Sequence, residues 1–256
     1  MTNLPTNQMI ADVTSRNAMN YLRDLDSEQY DFNPMIHLFS EEKEQPIMVL
    51  QLPPMKTDDQ KEKMFLHMFA LPFISLLPIE VVSVCQDTWF NKIEKSDDDE
   101  INNQNLQNAV RPSESIDRES ALMTLVVNSD KTGIWHMNEY GRDDKGYLFS
   151  KKVHLNEIAD WENEDGHASW IVPMILTGLS RESAEIILEV EDFGKEGALT
   201  ALASGFSILN DMNFSYMIHR DFVSVIENHF SEISDTDVYK HFVENLREQI
   251  ESAEEE

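Results

Sequence analysis

Cysteine, positive charge and long apolar runs are all scarce in this sequence. Cys85 is the only cysteine in 256 residues, so no disulfide can form within one chain, and such usage is typical of a reducing compartment. The longest apolar stretch, residues 64–79, contains His67, Pro72 and Pro78 and is shorter than the roughly 20 residues of a membrane helix. The N-terminus lacks the basic and apolar segments of a signal peptide. We therefore expect a cytoplasmic protein without a membrane partner.

The deficit of positive charge is large and uneven. The chain has 20 Lys and Arg against 48 Asp and Glu, which gives a formal net charge of −28. Nucleic acids and anionic membranes are poor partners for such a surface because both require a cationic face. A basic protein is the expected partner. Residues 1–154 carry a net charge of −10 and residues 155–256 a net charge of −18, which favours two regions with different surfaces.

The first region, residues 1–155, has the pattern of an α+β domain. Helical spacing of apolar residues predicts helices over 7–29 and 57–71, while short apolar or alternating runs predict strands over 46–52, 79–90, 121–128, 134–140 and 147–155. We expect a mixed or antiparallel sheet of about five strands with helices packed on it. Residues 91–110 are polar and rich in Asn and Asp, which predicts a mobile loop.

The strand predicted over 134–140 alternates in character. Every second side chain of a strand points to the same side, so two sets are expected on opposite faces of the sheet. One set is Ile134, His136 and Asn138, and the other is Trp135, Met137 and Glu139.

The second region, residues 156–256, is predicted to be acidic, mainly helical and docked on the first. Apolar or helical patterns cover 169–179, 181–190, 198–217 and 221–230, and a last helix begins near Asp235. In that last helix a row of acids shares one face: Glu244, Glu248, Glu251 and Glu255. Two interpretations stay open, an acidic ridge for a basic partner and a solvated tail.

Positive charge gathers at one point, RPSESIDRES at residues 111–120, just before a predicted strand. We expect Arg118 to be structural and to pair with Asp117 or with Asp87, at the end of the preceding strand. A planar guanidinium can bind a carboxylate and stack on the indole of Trp89 at the same time. The alternative is a ligand or partner site centred on Arg118.

The two segments VVSVCQDTWF and RPSESIDRESALMTLVV together resemble a pattern in a family of uncharacterised bacterial and phage proteins. In that pattern a strand ends in an acidic residue two positions before a Trp, and a Pro-Ser-x-x-x-Asp-Arg-x-x-Ala-Leu stretch follows. The matching positions here are Asp87, Trp89, Pro112, Ser113, Asp117, Arg118, Ala121 and Leu122. The resemblance covers about residues 45–155. It implies a shared fold, no known activity and no catalytic residues.

The sequence contains no recognisable catalytic motif. The eight histidines form no metal signature, and no HExxH, CxxC or phosphate-binding loop is present. We therefore assign no catalytic, cofactor or metal residue. The leading hypothesis is a non-catalytic acidic interaction protein, encoded by a phage, that binds a basic protein surface as a mimic of nucleic-acid charge. The alternatives are a structural component of a larger particle such as a virion, and a hydrolase-type enzyme with an unmarked Asp/His site.

Overall fold

Seven strands form one antiparallel sheet in this computed structural model. The structure describes residues 6–24, 32–40, 45–52, 71–90, 119–145, 147–163, 171–180, 194–211 and 214–254. The strands are β1 (Met35–Ser40), β2 (Met48–Gln51), β3 (Ile79–Phe90), β4 (Glu119–Asn128), β5 (Gly133–Arg142), β6 (Leu148–Ile158) and β7 (Ser215–Ile218). Their order across the sheet is β6-β5-β4-β3-β1-β2-β7, and each listed neighbour pair is antiparallel.

The helices divide unequally between the two faces of the sheet. Helix α1 (Asn7–Asp24) lies on one face, over β3, β4 and β5. The other face packs into the main hydrophobic core, which contains residues from the remaining five helices. These are α2 (Leu71–Ser75), α3 (Ile171–Leu179), α4 (Gly194–Asp211), α5 (Asp221–His229) and α6 (Asp237–Glu254). Among the described helices, none combines the length and apolar character needed to cross a membrane.

The α+β class was predicted, and of the two sheet types left open, mixed or antiparallel, the sheet is antiparallel. The expected number of about five strands is wrong. Strands β1 and β7 were missed. Residues 198–217 were predicted to be helical, whereas α4 ends at Asp211 and β7 follows at Ser215–Ile218. β7 has only four residues and owes its place to pairing with the distant β2, a contact that local patterns do not carry. The loop predicted over 91–110, the helix predicted over 181–190 and all but the last residue of the helix predicted over 57–71 lie outside the described residues.

Strand β7 ties the acidic C-terminal region to the sheet of the first region. It pairs with β2 from Met48↔Ile218 to Gln51↔Ser215. Strand β6 also runs to Ile158, past the boundary predicted after residue 155. The division into two regions stays a prediction, but residues from both contribute to one sheet and one main core.

Helix α1 begins at a side-chain cap and buries one stripe. Thr6 Oγ1 accepts a hydrogen bond of 3.3 Å from the backbone nitrogen of Met9, which satisfies a donor of the first turn. Three- and four-residue spacing then places the buried residues on the sheet side of the helix. They are Ile10, Ala11, Thr14, Ser15, Ala18, Met19 and Leu22. Two polar residues, Thr14 and Ser15, therefore occupy the middle of a buried stripe.

The turn between β4 and β5 fixes the register of β5. Lys131 has a φ of 70°, in the left-handed region, and the side chain of Asp130 accepts a hydrogen bond from the backbone nitrogen of Thr132. A Cβ atom at Gly133 would lie 1.9 Å from the carbonyl oxygen of Val126, so only glycine fits there. The predicted alternation follows from this register: Ile134, His136 and Asn138 face α1, as the burial and contacts of these residues show.

Candidate functional site: a polar cleft beside helix α1

Buried polar side chains lie between α1 and the sheet, where apolar packing would be expected. Each of them has at most 3% of its surface exposed. We call this set the polar seam: Thr14 and Ser15 of α1, His37 of β1, Ser83 of β3, Thr124 of β4 and His136 of β5. The seam separates two small apolar clusters under the helix, one near Ile10 and one near Leu22.

The seam is only partly satisfied by hydrogen bonds. Ser83 Oγ donates to Thr14 Oγ1 over 3.2 Å, and Thr124 Oγ1 donates to the sulfur of Cys85 over 3.4 Å. Three other buried atoms have no hydrogen-bond partner among the residues that the structure describes: His37 Nδ1, His136 Nδ1 and Ser15 Oγ. An unsatisfied buried polar atom costs about 1–3 kcal/mol, so such atoms call for an explanation.

Burial favours the neutral forms of three titratable groups on this side, His37, His136 and Cys85. Desolvation lowers the pKa of His37 to about 4. It also lowers the pKa of His136, and the nearby carboxylate of Asp12 acts in the opposite direction. The pKa of Cys85 is raised to about 12, mainly by burial. The thiol is therefore unreactive at neutral pH.

One end of the seam opens into a cleft of about 470 Å³ between α1 and the strands β5 and β6. Its wall on the helix comes from one face of α1, at positions 12, 15, 16, 19, 20 and 23. Its other wall comes from inward-facing side chains of β5 and from residues of the edge strand β6. The lining residues are Asp12, Ser15, Arg16, Met19, Asn20, Arg23, His136, Asn138, Ser150 and Val153.

The charged groups of the cleft are one acid, two bases and a buried imidazole. Asp12 Oδ1 lies 3.9 Å from His136 Nε2, and the His136 side chain is only 3% exposed while that of Asp12 is 48% exposed. Arg23 Nη1 donates to Asn20 Oδ1 over 3.2 Å. With His136 neutral, the lining carries a formal charge of +1 in a chain of −28. The cleft thus has the opposite sign to the protein as a whole.

A second pair of a histidine and a carboxylate lies on the opposite face of the sheet. His154 Nε2 is 2.5 Å from Glu139 Oε1, and the Glu139 side chain is buried. His136 and His154 lie in the adjacent strands β5 and β6, but Met137, not His136, is the register partner of His154. The two histidines therefore cannot act in one site.

The residues predicted around Arg118 are only partly described. Asp87 lies in β3 and accepts a hydrogen bond of 2.8 Å from Tyr140 Oη of β5. Trp89 lies in the same strand. Asp117 and Arg118 are outside the described residues, so their pairing with Asp87 stays a prediction. The strand that they were expected to precede begins at Glu119, directly after them.

The predicted acidic row is exposed along helix α6. Phe242, Val243 and Leu246 are buried, so this helix packs on the core through its other face. The side chains of Glu244, Glu248 and Glu251 are exposed, and Glu255 lies outside the described residues. No ion pair of these three glutamates is found among the described residues; the ion pair of α6 there joins Arg247 to Glu227 of α5.

Sequence reasoning missed the α1 wall of the cleft. Its signal was available: Asp12, Arg16, Asn20 and Arg23 recur at helical spacing beside the buried stripe. Two inward-facing polar residues of β5, His136 and Asn138, were a second signal. Joining the two required the packing of α1 across the sheet. Within the described ranges, no group of three or more His, Cys, Asp and Glu side chains is arranged to hold a metal ion.

The cleft and the acidic row have to be interpreted from their own chemistry. Comparisons of the chain with protein-family models, with curated proteins and with solved structures found no match.

Proposed function

We propose that this protein is a non-catalytic, strongly acidic interaction protein that binds a basic protein surface through helix α6. The supporting observation is the exposed row of Glu244, Glu248 and Glu251 on a helix whose other face is fixed in the core. Since these carboxylates have no ion pair among the described residues, they are available to a partner. The proposal includes the cytoplasm as the location and a phage as the source, as the sequence pattern led us to expect.

The spacing of the row favours a protein partner over close mimicry of a duplex. Glu244 and Glu251 are seven residues apart, so the row spans about 10 Å at 1.5 Å per residue. That is about one charge per 5 Å, whereas duplex DNA carries about one per 1.7 Å. The row is too sparse to copy a duplex, but it suits a helix or loop that carries two or three Lys or Arg side chains. Mimicry of nucleic-acid charge is therefore the weaker form of the proposal.

The test compares two triple variants that remove the same charge. In the first, Glu244, Glu248 and Glu251 are changed to Gln. In the second, three dispersed exposed acids are changed: Asp144→Asn, Glu157→Gln and Glu196→Gln. Binding of an oligolysine peptide is measured by calorimetry at low ionic strength. We expect the row variant to bind about tenfold more weakly than the control, because exposed pairs contribute up to about 1 kcal/mol each. If both variants bound the peptide equally weakly, binding would depend on net charge alone and the proposal would be wrong.

A hydrolase-type enzyme is a second candidate, because Asp12 and His136 converge at one cleft. A neutral His136 is able to accept a proton, and the hydroxyl of Ser15 lines the same cleft. The separation of 3.9 Å between Asp12 Oδ1 and His136 Nε2 is longer than a hydrogen bond, which argues against an assembled dyad. Turnover of an activated ester that is lost in His136→Gln would favour this candidate. The structural-component hypothesis stays a prediction.

A further inference from the structure

Strand β6 forms one edge of the described sheet and is exposed along most of its length. It has 11 residues, of which only Leu148 and Ile158, at its two ends, are buried. On its inner side it pairs with β5, and no described strand pairs with its outer side. In such a strand every second residue turns its backbone N–H and C=O groups outward, where they can pair with a further strand.

Exposed apolar side chains gather along this edge. Nine large apolar residues are exposed within the described ranges, and four of them lie in β6 or directly before it. These four are Tyr147, Phe149, Val153 and Leu155. Single exposed apolar residues are ordinary, whereas clusters of them are typical of interaction sites. This edge is therefore a candidate for apolar contact with a partner.

The two parts of β6 differ in how well they can accept a further strand. In the first part the register with β5 shifts, which leaves Lys151 without a register partner. Lys151 and Lys152 are both exposed there, and bulges and lysines are devices that keep edge strands from pairing. Residues 153–158 have a regular register, and Glu157 is the only Lys, Arg, Asp or Glu among them. We call residues 153–158 the open edge.

A strand added at the open edge would place side chains beside the cleft. Val153 and Leu155 point to the α1 side of the sheet, like their register partners Asn138 and His136. Since cross-strand neighbours share a face, alternate residues of the added strand would contact Val153 and Leu155 on that side. Val153 also lines the cleft, whose volume of about 470 Å³ lies within the range of about 300–1,000 Å³ that binding pockets occupy. Apolar side chains at alternate positions therefore fit this edge.

Basic side chains lie at the N-terminal end of the open edge. Lys152 directly precedes it, and Arg16 and Arg23 of α1 line the cleft beside it. Arg23 lies at this end because its neighbour Leu22 packs in one cluster with Leu148, the first residue of β6. All three basic side chains are exposed, and none has a carboxylate partner among the described residues.

These basic groups act locally although the chain carries a net charge of −28. Salt screens exposed charges that are separated by more than about 8 Å at physiological ionic strength, so the nearest groups dominate. The acids of this surface, Asp12 and Glu157, lie toward the other end of the open edge: Asp12 is beside His136, which is paired with Leu155. Acidic residues of a partner therefore fit the end near Lys152. An antiparallel partner would carry them at its own C-terminal end.

We propose that the open edge of β6 binds an extended segment of another protein as an eighth, antiparallel strand of the sheet. The segment has apolar residues at alternate positions and acidic residues at its C-terminal end. Its backbone pairs with the open edge, its apolar side chains contact Val153 and Leu155, and its acids meet the three basic side chains. In strand addition of this kind, main-chain pairing gives affinity and the side-chain pattern gives specificity. This surface differs from the acidic row of α6 both in its place and in the charge of its partner.

The test adds synthetic peptides to the full chain at a salt concentration of about 0.15 M. The probe has about ten residues, in which valine and threonine alternate before two glutamates at the C-terminal end. We expect a saturable change in the NMR shifts of the β6 amides, with a Kd below about 1 mM. Alternate amides of residues 153–158 should also exchange more slowly when the probe is bound, because they then donate to its carbonyl groups.

Two control peptides separate backbone pairing from charge. In the first, proline replaces two adjacent central residues and removes their backbone N–H groups, so this peptide should bind at least about tenfold more weakly than the probe. In the second, lysines replace the two glutamates. The lysine peptide should bind at least about threefold more weakly than the probe, although the net charge of −28 favours a cationic peptide.

Variants of the chain locate the binding surface. Val153→Ser together with Leu155→Ser should weaken binding of the probe at least about fivefold, because two apolar contacts are lost. The matched control, Ile208→Ser with Val238→Ser, changes two exposed apolar residues of α4 and α6 and should leave binding unchanged. All four positions are exposed, so the unfolding midpoints should stay close to that of the wild type. Lys152→Gln should weaken binding of the probe about twofold without weakening that of the lysine peptide.

Several results would overturn the proposal. These are the absence of a saturable shift, equal binding of the probe and the proline peptide, tighter binding of the lysine peptide, and full binding by the double variant of Val153 and Leu155. Sedimentation of the free chain tests a second copy as the occupant of the edge. We expect a monomer at every concentration. A dimer that the same double variant abolishes would assign the open edge to self-association instead.

Discussion

The two faces of the sheet are packed differently. The face that packs on helices α2 to α6, the helical face, is a continuous apolar core in which aromatic rings converge. The ring centroid of Phe206 lies 4.9 Å from that of Phe73, 6.0 Å from that of Phe222 and 6.3 Å from that of Phe242. The α1 face has one helix, two small apolar clusters and the polar seam between them. In this seam, three buried polar atoms lack a partner among the described residues.

The two faces contribute differently to the free energy of folding. Apolar burial on the helical face is the dominant source of folding free energy. Buried, unpaired polar atoms on the α1 face oppose folding and persist only because the rest of the structure holds them in place. Locally unfavourable groups of this kind are typical of functional sites.

The largest expected effect on stability comes from a substitution in the core of the helical face. Phe206→Ala should lower the free energy of unfolding by about 3–5 kcal/mol, because it removes a buried ring at the centre of an aromatic cluster. Urea unfolding followed by circular dichroism measures this. Ile208→Ala, an exposed position on the same helix, is the control and should cost under about 1 kcal/mol. A loss below 1 kcal/mol for Phe206→Ala would show that this core does not carry the fold.

The next largest effect is a pH dependence on the α1 face. His37 has a folded pKa of about 4 against an ordinary value of 6.5, so the unfolded state binds a proton first as the pH falls. The free energy of unfolding that depends on neutral His37 is fully present above pH 6.5. It falls by about 3 kcal/mol in total as the pH is lowered from about 6.5 to 4. His37→Leu should remove this part of the pH dependence. Parallel curves of unfolding free energy against pH for the two proteins would contradict the buried neutral state.

The smallest effect should come from the satisfied part of the seam. Ser83→Ala alone leaves Thr14 Oγ1 buried without its donor and should cost about 1 kcal/mol. Adding Thr14→Val removes both partners of the hydrogen bond, and the double variant should recover most of that loss. Thermal unfolding of the single and double variants provides the comparison. Additive losses would instead mean that Ser83 and Thr14 are not coupled by this hydrogen bond.

Sequence reasoning predicted the elements that depend on local pattern. The five strands β2 to β6 and the helices α1, α5 and α6 all occupy predicted segments, and the inward direction of His136 follows from simple alternation. Strand β1 was missed because its six residues, MIHLFS, are buried at nearly every position and show no alternation. Strand β7 was missed because its place depends on the distant β2.

The candidate site was less predictable than the fold for a physical reason. Asp12 and His136 are 124 positions apart, and they meet because the helix crosses the sheet at one particular angle and register. Alternation placed His136 and Asn138 on an inner face, but it did not identify the helix that covers them. The acidic row of α6 was found because it depends on a single helix.

Native-state hydrogen exchange tests the unequal faces most directly. Amides of α1 from Thr14 to Leu22 are compared with those of β4 from Leu122 to Val127 under conditions where exchange reports the free energy of opening. Because the seam weakens the hold of the sheet on this helix, we predict that α1 opens at least about 2 kcal/mol below global unfolding, while β4 exchanges only on global unfolding. Equal protection of α1 and β4 would contradict the account, because it would show that the polar face is as tightly held as the apolar one.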